Sequence, residues 1–309
     1  MIYTVTLNPA LDKEYTVPSL VFDDVMRIDE MRIDYGGKGF NVARMLKSLG
    51  KESIALGFVG GHTGTVISQG LKDLGIKRDL TVISGETRTN TSIVDAEKSH
   101  YIKINEKGPV VSDHEVELLL KKVSHLAQKG DYWVLAGSLP SNVPEDIYAS
   151  ITRLVNKAGG HVILDTSGEP LKRGIEANPY LLKPNQHELN QIFGTTASTT
   201  DALLDLIQKL HKDGIENVLV SLGKEGALLS TSEGCWKALP PKIKAQNPIG
   251  AGDAMVAGLV WRLDEGDLIS EALAWAIACG TAAANEPGTG MPSFTIVEEF
   301  KNKVIIEEI

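Results

Sequence analysis

Short apolar runs alternate along the chain with segments in which apolar residues recur every three or four positions. The apolar runs predict buried strands at 2–7, 54–59, 80–83, 132–136, 161–165, 181–183 and 218–221. A helical pattern of Val42, Met45, Leu46 and Leu49 is closed by Gly50, and similar patterns occupy 67–74, 116–126 and 147–155. This alternation predicts an α/β fold with a mostly parallel central sheet and helices on both faces.

Two segments depart from this rhythm. Residues 12–35 and 88–105 show alternating apolar and polar positions, which predict strands rather than core helices. We expect the two segments to pair as a small accessory sheet that covers a cleft. The alternative is a simple extension of the main sheet. No repeat, low-complexity tract or flexible linker divides the 309 residues.

Composition narrows the classes of function. A formal charge of −9 argues against a nucleic acid partner, although a few basic residues inside a cleft can still hold a small phosphorylated substrate. The two cysteines, Cys235 and Cys279, are too far apart for a CxxC site, and there is no HExxH. No apolar stretch suits a signal peptide or a membrane span, so we expect a cytoplasmic protein.

The run Asn247-Pro248-Ile249-Gly250-Ala251-Gly252-Asp253 precedes an apolar, helix-compatible segment. Backbone N–H groups at a helix N-terminus favour an anion, and glycine lets a phosphate approach the backbone closely. Asp253 beside them is a candidate general base. The alternative is that Asp253 simply caps the helix.

Two common nucleotide motifs are absent. No GxxxxGK[ST] occurs, which argues against a P-loop enzyme. In GAGDAM, Met255 stands where the third glycine of GxGxxG would be, and the run lies far from the first strand. A dinucleotide-binding oxidoreductase therefore loses its main support.

Polar residues also follow the first predicted strand and enter the next helix, at positions where doubly wound sheets bind ligands. The first run is LNPALD and the second is GGKGFN, over 36–41. Asp12 and Asn41 could bind sugar hydroxyls, and Lys38 could bind a phosphate. The alternative for the second run is a glycine turn that starts a helix.

Two further runs follow strands. Asn185 and Glu188 share a helical face and offer oxygen ligands for Mg²⁺, but the same spacing forms a capping box. The glycine-bounded turn at 221–226 could admit a nucleotide or merely join two strands.

Taken in order, the runs resemble the phosphofructokinase B branch of the ribokinase-like sugar kinases. The resemblance covers essentially the whole chain and rests on LNPALD, GGKGFNVAR, ETRTN, AGSLP, LLKPNQHEL, VSLGKEGA and NPIGAGDAM. It implies a single ribokinase-like kinase domain over 1–309, with a small β-sheet lid formed by about 12–35 and 88–105. It also implies use of ATP and Mg²⁺, and a homodimer formed through the lid.

The resemblance also implies a role for each matching residue. Asp253 is the base, and Gly250, Ala251 and Gly252 form the anion hole. The substrate positions are Asp12, Gly37, Lys38, Asn41, Asn90 and Ser138, with Arg27 and Arg88 on the substrate's existing phosphate. The nucleotide positions are Lys183, Asn185, Ser221, Gly223, Gly226 and Asn285, the last near the adenine, and Asn185 and Glu188 serve the metal.

The implied substrate is a phosphorylated ketohexose. An unphosphorylated ribose or nucleoside would give Lys38, Arg27 and Arg88 no shared purpose. Arg88 with Asn90 and the Gly-Ala-Gly-Asp run resemble the kinases of fructose 1-phosphate, whereas the run at 23–27 and Asn247-Pro248 are more like tagatose-6-phosphate kinase. We expect fructose 1-phosphate as the acceptor, giving fructose 1,6-bisphosphate. The alternative of another class is a non-catalytic sensor of sugar phosphates or nucleotides.

Overall fold

The apolar runs form a mostly parallel sheet in the computed structural model, which describes residues 1–97, 100–243, 247–286 and 290–309. The strands are β1 (Ile2–Thr6), β2 (Ala10–Val17), β3 (Glu30–Gly36), β4 (Ile54–Gly60), β5 (Lys77–Arg78), β6 (Thr81–Ile83), β7 (Arg88–Asp95), β8 (Tyr101–Asn105), β9 (Tyr132–Ala136), β10 (His161–Asp165), β11 (Leu181–Leu182), β12 (Asn217–Ser221), β13 (Ala227–Ser230), β14 (Cys235–Leu239) and β15 (Ile305–Glu308). The helices are α1 (Lys38–Ser48), α2 (Gly61–Asp73), α3 (Asp113–Leu126), α4 (Ile147–Ala158), α5 (Gly168–Ile175), α6 (Gln186–Phe193), α7 (Thr200–Lys212), α8 (Ala251–Glu265), α9 (Ile269–Ala284) and α10 (Phe294–Lys301).

The order of the main sheet is β15-β14-β13-β12-β11-β10-β9-β1-β4-β5, with β6 also paired to β4. The strands from β12 to β5 are parallel neighbours. The three strands β13, β14 and β15 add antiparallel pairs at one edge. The predicted α/β class, with a mostly parallel sheet, is confirmed.

Both faces of the main sheet are covered by helices, because successive residues of a strand point to opposite faces. In β9, Val134 packs into the core beneath α1, α8, α9 and α10. Its neighbour Trp133 packs into the core that includes α3, α4 and α7. Burial on both faces explains why these strands are continuously apolar instead of alternating.

The strands β3, β2, β7 and β8 form a separate four-stranded sheet, in that order. We call it the small sheet. The fold thus has a separate sheet and not an extension of the main sheet, and it takes strands from both segments with alternating patterns. The division of the chain into a single domain with a lid stays a prediction.

The small sheet has one polar and one apolar face, as its register shows. Asp34, Asp12, Asn90 and Asn105 lie opposite one another across the four strands, and Arg32, Glu14, Ser92 and Lys103 form the next row of the same face. We call this the polar face. The other face carries Ile33, Ile104, Met31, Tyr15, Ile93 and Ile102 together with Lys13 and Thr91, and we call it the apolar face.

Within the described residues, no helix has the length and apolar character needed to cross a membrane.

Candidate active site

Strand ends of the main sheet and the polar face of the small sheet enclose an open cleft of about 510 Å³. The cleft lies where β1, β9, β10 and β12 end, which is the usual ligand position in doubly wound sheets. It brings together many of the residues predicted from the sequence. These are Gly37, Lys38, Asn41, Arg88, Ser138, Lys183, Asn185, Glu188, Ser221, Gly250, Gly252 and Asp253.

Helix α8 begins at the wall of this cleft. Its N-cap is Gly250, whose φ of 83° lies in the left-handed region that favours glycine, and no side chain caps the terminus. The alternative reading of Asp253 as the N-cap is therefore wrong, because Asp253 lies inside the first turn of the helix. Gly252 lines the cleft, so its backbone is accessible to an anion.

Asp253 is a buried carboxylate with little solvent to stabilise its charge. It is 6% exposed, and its Oδ2 accepts a hydrogen bond of 2.8 Å from Nδ2 of Asn41. Burial raises the pKa of Asp253 to about 6, with a further increase from the charge of Asp165. Lys38, the Asn41 bond and Lys183 act in the opposite direction. Such a carboxylate is still mainly ionised at neutral pH, and it is a stronger base than an ordinary aspartate.

Asp165 ends β10 beside Asp253 and holds two lysines. Its Oδ1 is 2.8 Å from Nζ of Lys38, and its Oδ2 is 3.4 Å from Nζ of Lys183. Burial alone would raise the pKa of Asp165, but the charges of Lys183 and Lys38 outweigh it and the pKa is lowered. The pKa of Lys38 is raised, since the charges of Asp165 and Asp253 outweigh its desolvation. These four side chains form a charge cluster with no net charge when all are ionised.

Asp165 was not predicted from the sequence. The only available signal was its position, because a carboxylate that ends a buried parallel strand lies at the ligand-binding edge of the sheet. The ion pair also changes the interpretation of Lys38, which lines the cleft while its ammonium is bound to Asp165. A contact of Lys38 with the substrate's phosphate stays a prediction.

The polar face of the small sheet supplies further groups. Arg88, Lys103 and Asn105 line the cleft, and the sequence analysis did not single out the last two. The predicted substrate residues Asp12 and Asn90 lie on the same face, joined by a hydrogen bond of 2.8 Å from Asn90 Nδ2, but they are not among the residues that line the cleft. Burial raises the pKa of Asp12.

Asn185 and Glu188 form the capping box of α6. Asn185 Oδ1 accepts from the backbone N–H of Glu188, and Glu188 Oε2 accepts from that of Asn185, both at 2.8 Å. Glu188 nevertheless lines the cleft, and its second carboxylate oxygen can serve a cation. No group of three or more histidine, cysteine or acidic residues suited to a metal occurs in the described part of the chain.

Several predicted residues do not line the cleft. Arg27 is exposed in the loop between β2 and β3, and Asn285 caps the C-terminus of α9. Gly223 and Gly226 bound the turn between β12 and β13, which therefore does join two strands. Ala251 is the first residue of α8. The positions of these five residues give no support to a ligand contact.

The ribokinase-like fold, the buried carboxylate at a helix N-terminus and the adjacent lysines define a kinase that acts on a small hydroxyl compound. The model of the pfkB family of carbohydrate kinases matches residues 7–295, and the chain belongs to this family.

Named relatives narrow the class further. The chain is 37% identical over 294 residues to the 1-phosphofructokinase of Bacillus subtilis, covering 95% of this chain and 96% of the relative. It is 36% identical to the 1-phosphofructokinase of Borreliella burgdorferi over 92% of each chain. The structure of phosphofructokinase-2 from Escherichia coli in complex with potassium matches with a TM-score of 0.93 and 30% identity, covering 98% of each chain.

Proposed function

We propose that the protein transfers the γ-phosphoryl group of ATP to the 6-hydroxyl of fructose 1-phosphate, giving fructose 1,6-bisphosphate. The observation that carries this proposal is Asp253, a buried carboxylate in the first turn of α8 whose pKa is about 6. Its surroundings suit proton abstraction from a hydroxyl next to an anion. The two curated relatives named above are 1-phosphofructokinases, which supports the choice of sugar.

The chemistry divides between proton removal and charge stabilisation. Asp253 accepts the proton of the attacking hydroxyl, while the uncapped N-terminus of α8 faces the oxygens of the transferred group. Lys38 and Lys183, each paired with one oxygen of Asp165, supply positive charge. Phosphoryl transfer depends mainly on positioning and on charge, so these groups are expected to contribute more than the base does.

The existing phosphate of the sugar calls for a second cationic site. Arg88 and Lys103 enter the cleft from the small sheet, and Ser138 follows β9 on the main sheet. A guanidinium, an ammonium and a hydroxyl together suit a phosphate monoester. Arg88, Lys103 and Ser138 lie on different elements from the charge cluster around Asp253. Such a separation is needed because the ketohexose carries its existing phosphate and receives the new one at different positions.

We propose that Glu188, with Asn185 beside it, holds Mg²⁺ through the oxygen that the capping box leaves available. The ion would neutralise charge on the phosphates of ATP.

The cytoplasmic location of the protein also stays a prediction.

An ADP-release assay with Mg·ATP tests the proposal. It compares fructose 1-phosphate, fructose 6-phosphate, tagatose 6-phosphate and ribose at equal concentrations. We expect fructose 1-phosphate to give the highest kcat/KM. A preference for tagatose 6-phosphate would replace the substrate but keep the mechanism, and ADP release with none of the sugars would favour the sensor.

We also propose that two copies of the chain associate through the apolar faces of their small sheets. Ile104 is 58% exposed and Met31 is 50% exposed, so this face is unusually apolar for a surface. A second copy is the occupant that the family resemblance implies. An identical apolar face would cover these residues symmetrically.

A further inference from the structure

Asn8 lies directly after β1, where the chain leaves the main sheet for the small sheet. It lines the cleft and is only 5% exposed. Its position between the two sheets allows it to bond to elements on both sides.

The amide nitrogen of Asn8 ties three segments together. The two hydrogens of Nδ2 are shared among three acceptors: the backbone oxygens of Lys107 at 3.1 Å and Leu139 at 3.2 Å, and, as the longest contact, Oγ of Ser138 at 3.4 Å. Lys107 follows the last strand of the small sheet, whereas Ser138 and Leu139 follow β9 of the main sheet. One side chain therefore links the exit of the small sheet to the loop that carries a predicted substrate contact.

The bond to Ser138 fixes the direction in which this hydroxyl can act. Because Oγ of Ser138 accepts from Asn8, its own hydrogen is free to be donated elsewhere. Ser138 lines the cleft, so a phosphate there would meet the hydroxyl as a donor, which is the role an anion requires.

The backbone of Asn8 also positions Arg88. Nη2 of Arg88 donates to the backbone oxygen of Asn8 at 2.9 Å, and Nη1 donates to that of Glu106 at 2.9 Å. Nε donates to the oxygen of Pro9 at 3.4 Å. A guanidinium has more N–H groups than these three acceptors use, so the remainder can bind an anion.

The amide oxygen of Asn8 lowers the stability of the folded protein. Oδ1 of Asn8 is buried and has no hydrogen-bond partner among the described residues. A Cβ at Gly108 would lie 2.2 Å from this oxygen. The loop after β8 is therefore packed tightly against the Asn8 amide. An apolar side chain of the same size would remove the unpaired oxygen, but it would also take the donor from the carbonyls of Lys107 and Leu139 and from Ser138, so the nitrogen is the part of the amide that is used.

We propose that Asn8 is a positioning residue for the sugar's existing phosphate, which it serves by holding Ser138 as a hydrogen-bond donor and by fixing the exit of the small sheet beside it. This inference rests on the proposed function, because it takes Ser138 and Arg88 as the phosphate contacts.

The test uses Asn8→Leu, which keeps the size and the backbone carbonyl but removes the amide. We expect KM for fructose 1-phosphate to rise about tenfold, as the loss of one to two hydrogen bonds implies, with KM for ATP and kcat changed less than about twofold. Asn217→Leu is the matched control, since Asn217 is 4% exposed and donates to the Tyr180 carbonyl at the opposite end of β12. It should leave both KM values unchanged.

A double-mutant cycle separates positioning from general damage. If Asn8 acts through Ser138, Asn8→Leu should raise KM for the sugar less than about threefold in a Ser138→Ala background. Equal effects in both backgrounds, or an equal rise in KM for ATP, would overturn the proposal. If Asn8→Leu does not fold, Asn8→Ser is judged by the same two criteria.

The same variants also separate this inference from the proposed function. If the wild-type protein phosphorylates no sugar, the function fails, and the dissociation constant of fructose 1-phosphate then replaces KM. Unchanged binding in Asn8→Leu would contradict the role of Asn8 even then.

Discussion

The ionised carboxylate of Asp253 destabilises the folded protein because it is buried. Its pKa is raised from 3.8 to about 6, so the folded state binds the proton more tightly than the unfolded state. The stability gained from the protonated form is present at low pH and is lost as pH rises through about 4 to 6. At neutral pH the ionised carboxylate lowers the free energy of unfolding by about 3 kcal/mol. Such a cost is typical of a group retained for its reactivity.

Asp253→Asn should therefore lose activity and gain stability. The amide keeps the size and can still accept from Asn41, but it cannot take a proton. We expect kcat to fall about 10²- to 10⁴-fold with ATP binding retained, and the melting temperature to rise at pH 8 but not near pH 4. Steady-state kinetics and thermal melts at both pH values check this.

Asp267→Asn is the control, because Asp267 pairs with Arg262 just beyond the far end of α8. It should leave kcat unchanged. Near-normal kcat in Asp253→Asn would end the assignment of the base.

The pH dependence of kcat/KM for the sugar gives a second prediction at this scale. The base must be ionised, so kcat/KM should fall about tenfold per pH unit below about pH 6. The sugar's own phosphate ionises near the same pH. Lys38→Gln separates the two, since Lys38 lowers the pKa of Asp253 and its removal should move the acid limb to higher pH. If the fall in kcat/KM at low pH does not shift in Lys38→Gln, it reflects protonation of the substrate's phosphate and not of Asp253.

At the scale of elements, the turn between β12 and β13 shows how a glycine can be essential without contacting a ligand. Gly226 has φ of 91°, and a Cβ there would lie 1.8 Å from the backbone oxygen of Ala238 on β14. Gly223 also has a positive φ, of 60°, but a Cβ there would meet nothing within 4 Å. Gly226 is therefore constrained by both backbone conformation and packing, whereas Gly223 is constrained by backbone conformation alone.

Gly226→Ala should destabilise the protein by about 2–4 kcal/mol, because both the backbone conformation and the packing exclude a methyl group. Gly223→Ala should cost about 1 kcal/mol, from the backbone alone. Urea unfolding of the two variants measures the difference. Equal midpoints would show that the contact with β14 does not constrain Gly226.

The elements that the sequence predicted best are those with a strong local cause. Parallel strands such as β9 are buried on both faces and therefore read as apolar runs. The antiparallel edge was harder to predict, because β14 is only half-buried and β15 is exposed. Their pairing depends on the single turn after β12 and on residues distant in sequence.

At the scale of the whole molecule, the apolar face of the small sheet leads to a prediction about assembly. Ile104→Lys places a charge on the apolar face within the proposed contact, which should convert a dimer to a monomer at micromolar concentration. Light scattering coupled to size-exclusion chromatography gives the mass directly. Val82→Lys is the control, since Val82 is 75% exposed on β6 of the main sheet. A wild-type protein that runs as a monomer would contradict the proposed dimer.

The site residues that could not be predicted from the sequence are brought to the cleft by the tertiary structure. Asp253 and Lys38 belong to glycine-rich runs that signal a helix start, so local reasoning found them. Asp165 ends an ordinary apolar strand and meets Lys38 across 127 positions of sequence. Lys103 is one residue of an alternating strand, and only the register of the small sheet places it on the cleft side. No local pattern contains such information.

The two faces of the small sheet also limit how this protein can change over evolution. The sheet is a single layer, so the residues of the polar face alternate along each strand with those of the apolar face. Inserting or deleting one residue within β2 would turn Tyr15 toward the cleft and Asp12 outward, and the same change within β7 would turn Ile93 toward the cleft and Asn90 outward. Lineages can therefore vary the length of the loop between β2 and β3, but within the strands they are restricted to substitution.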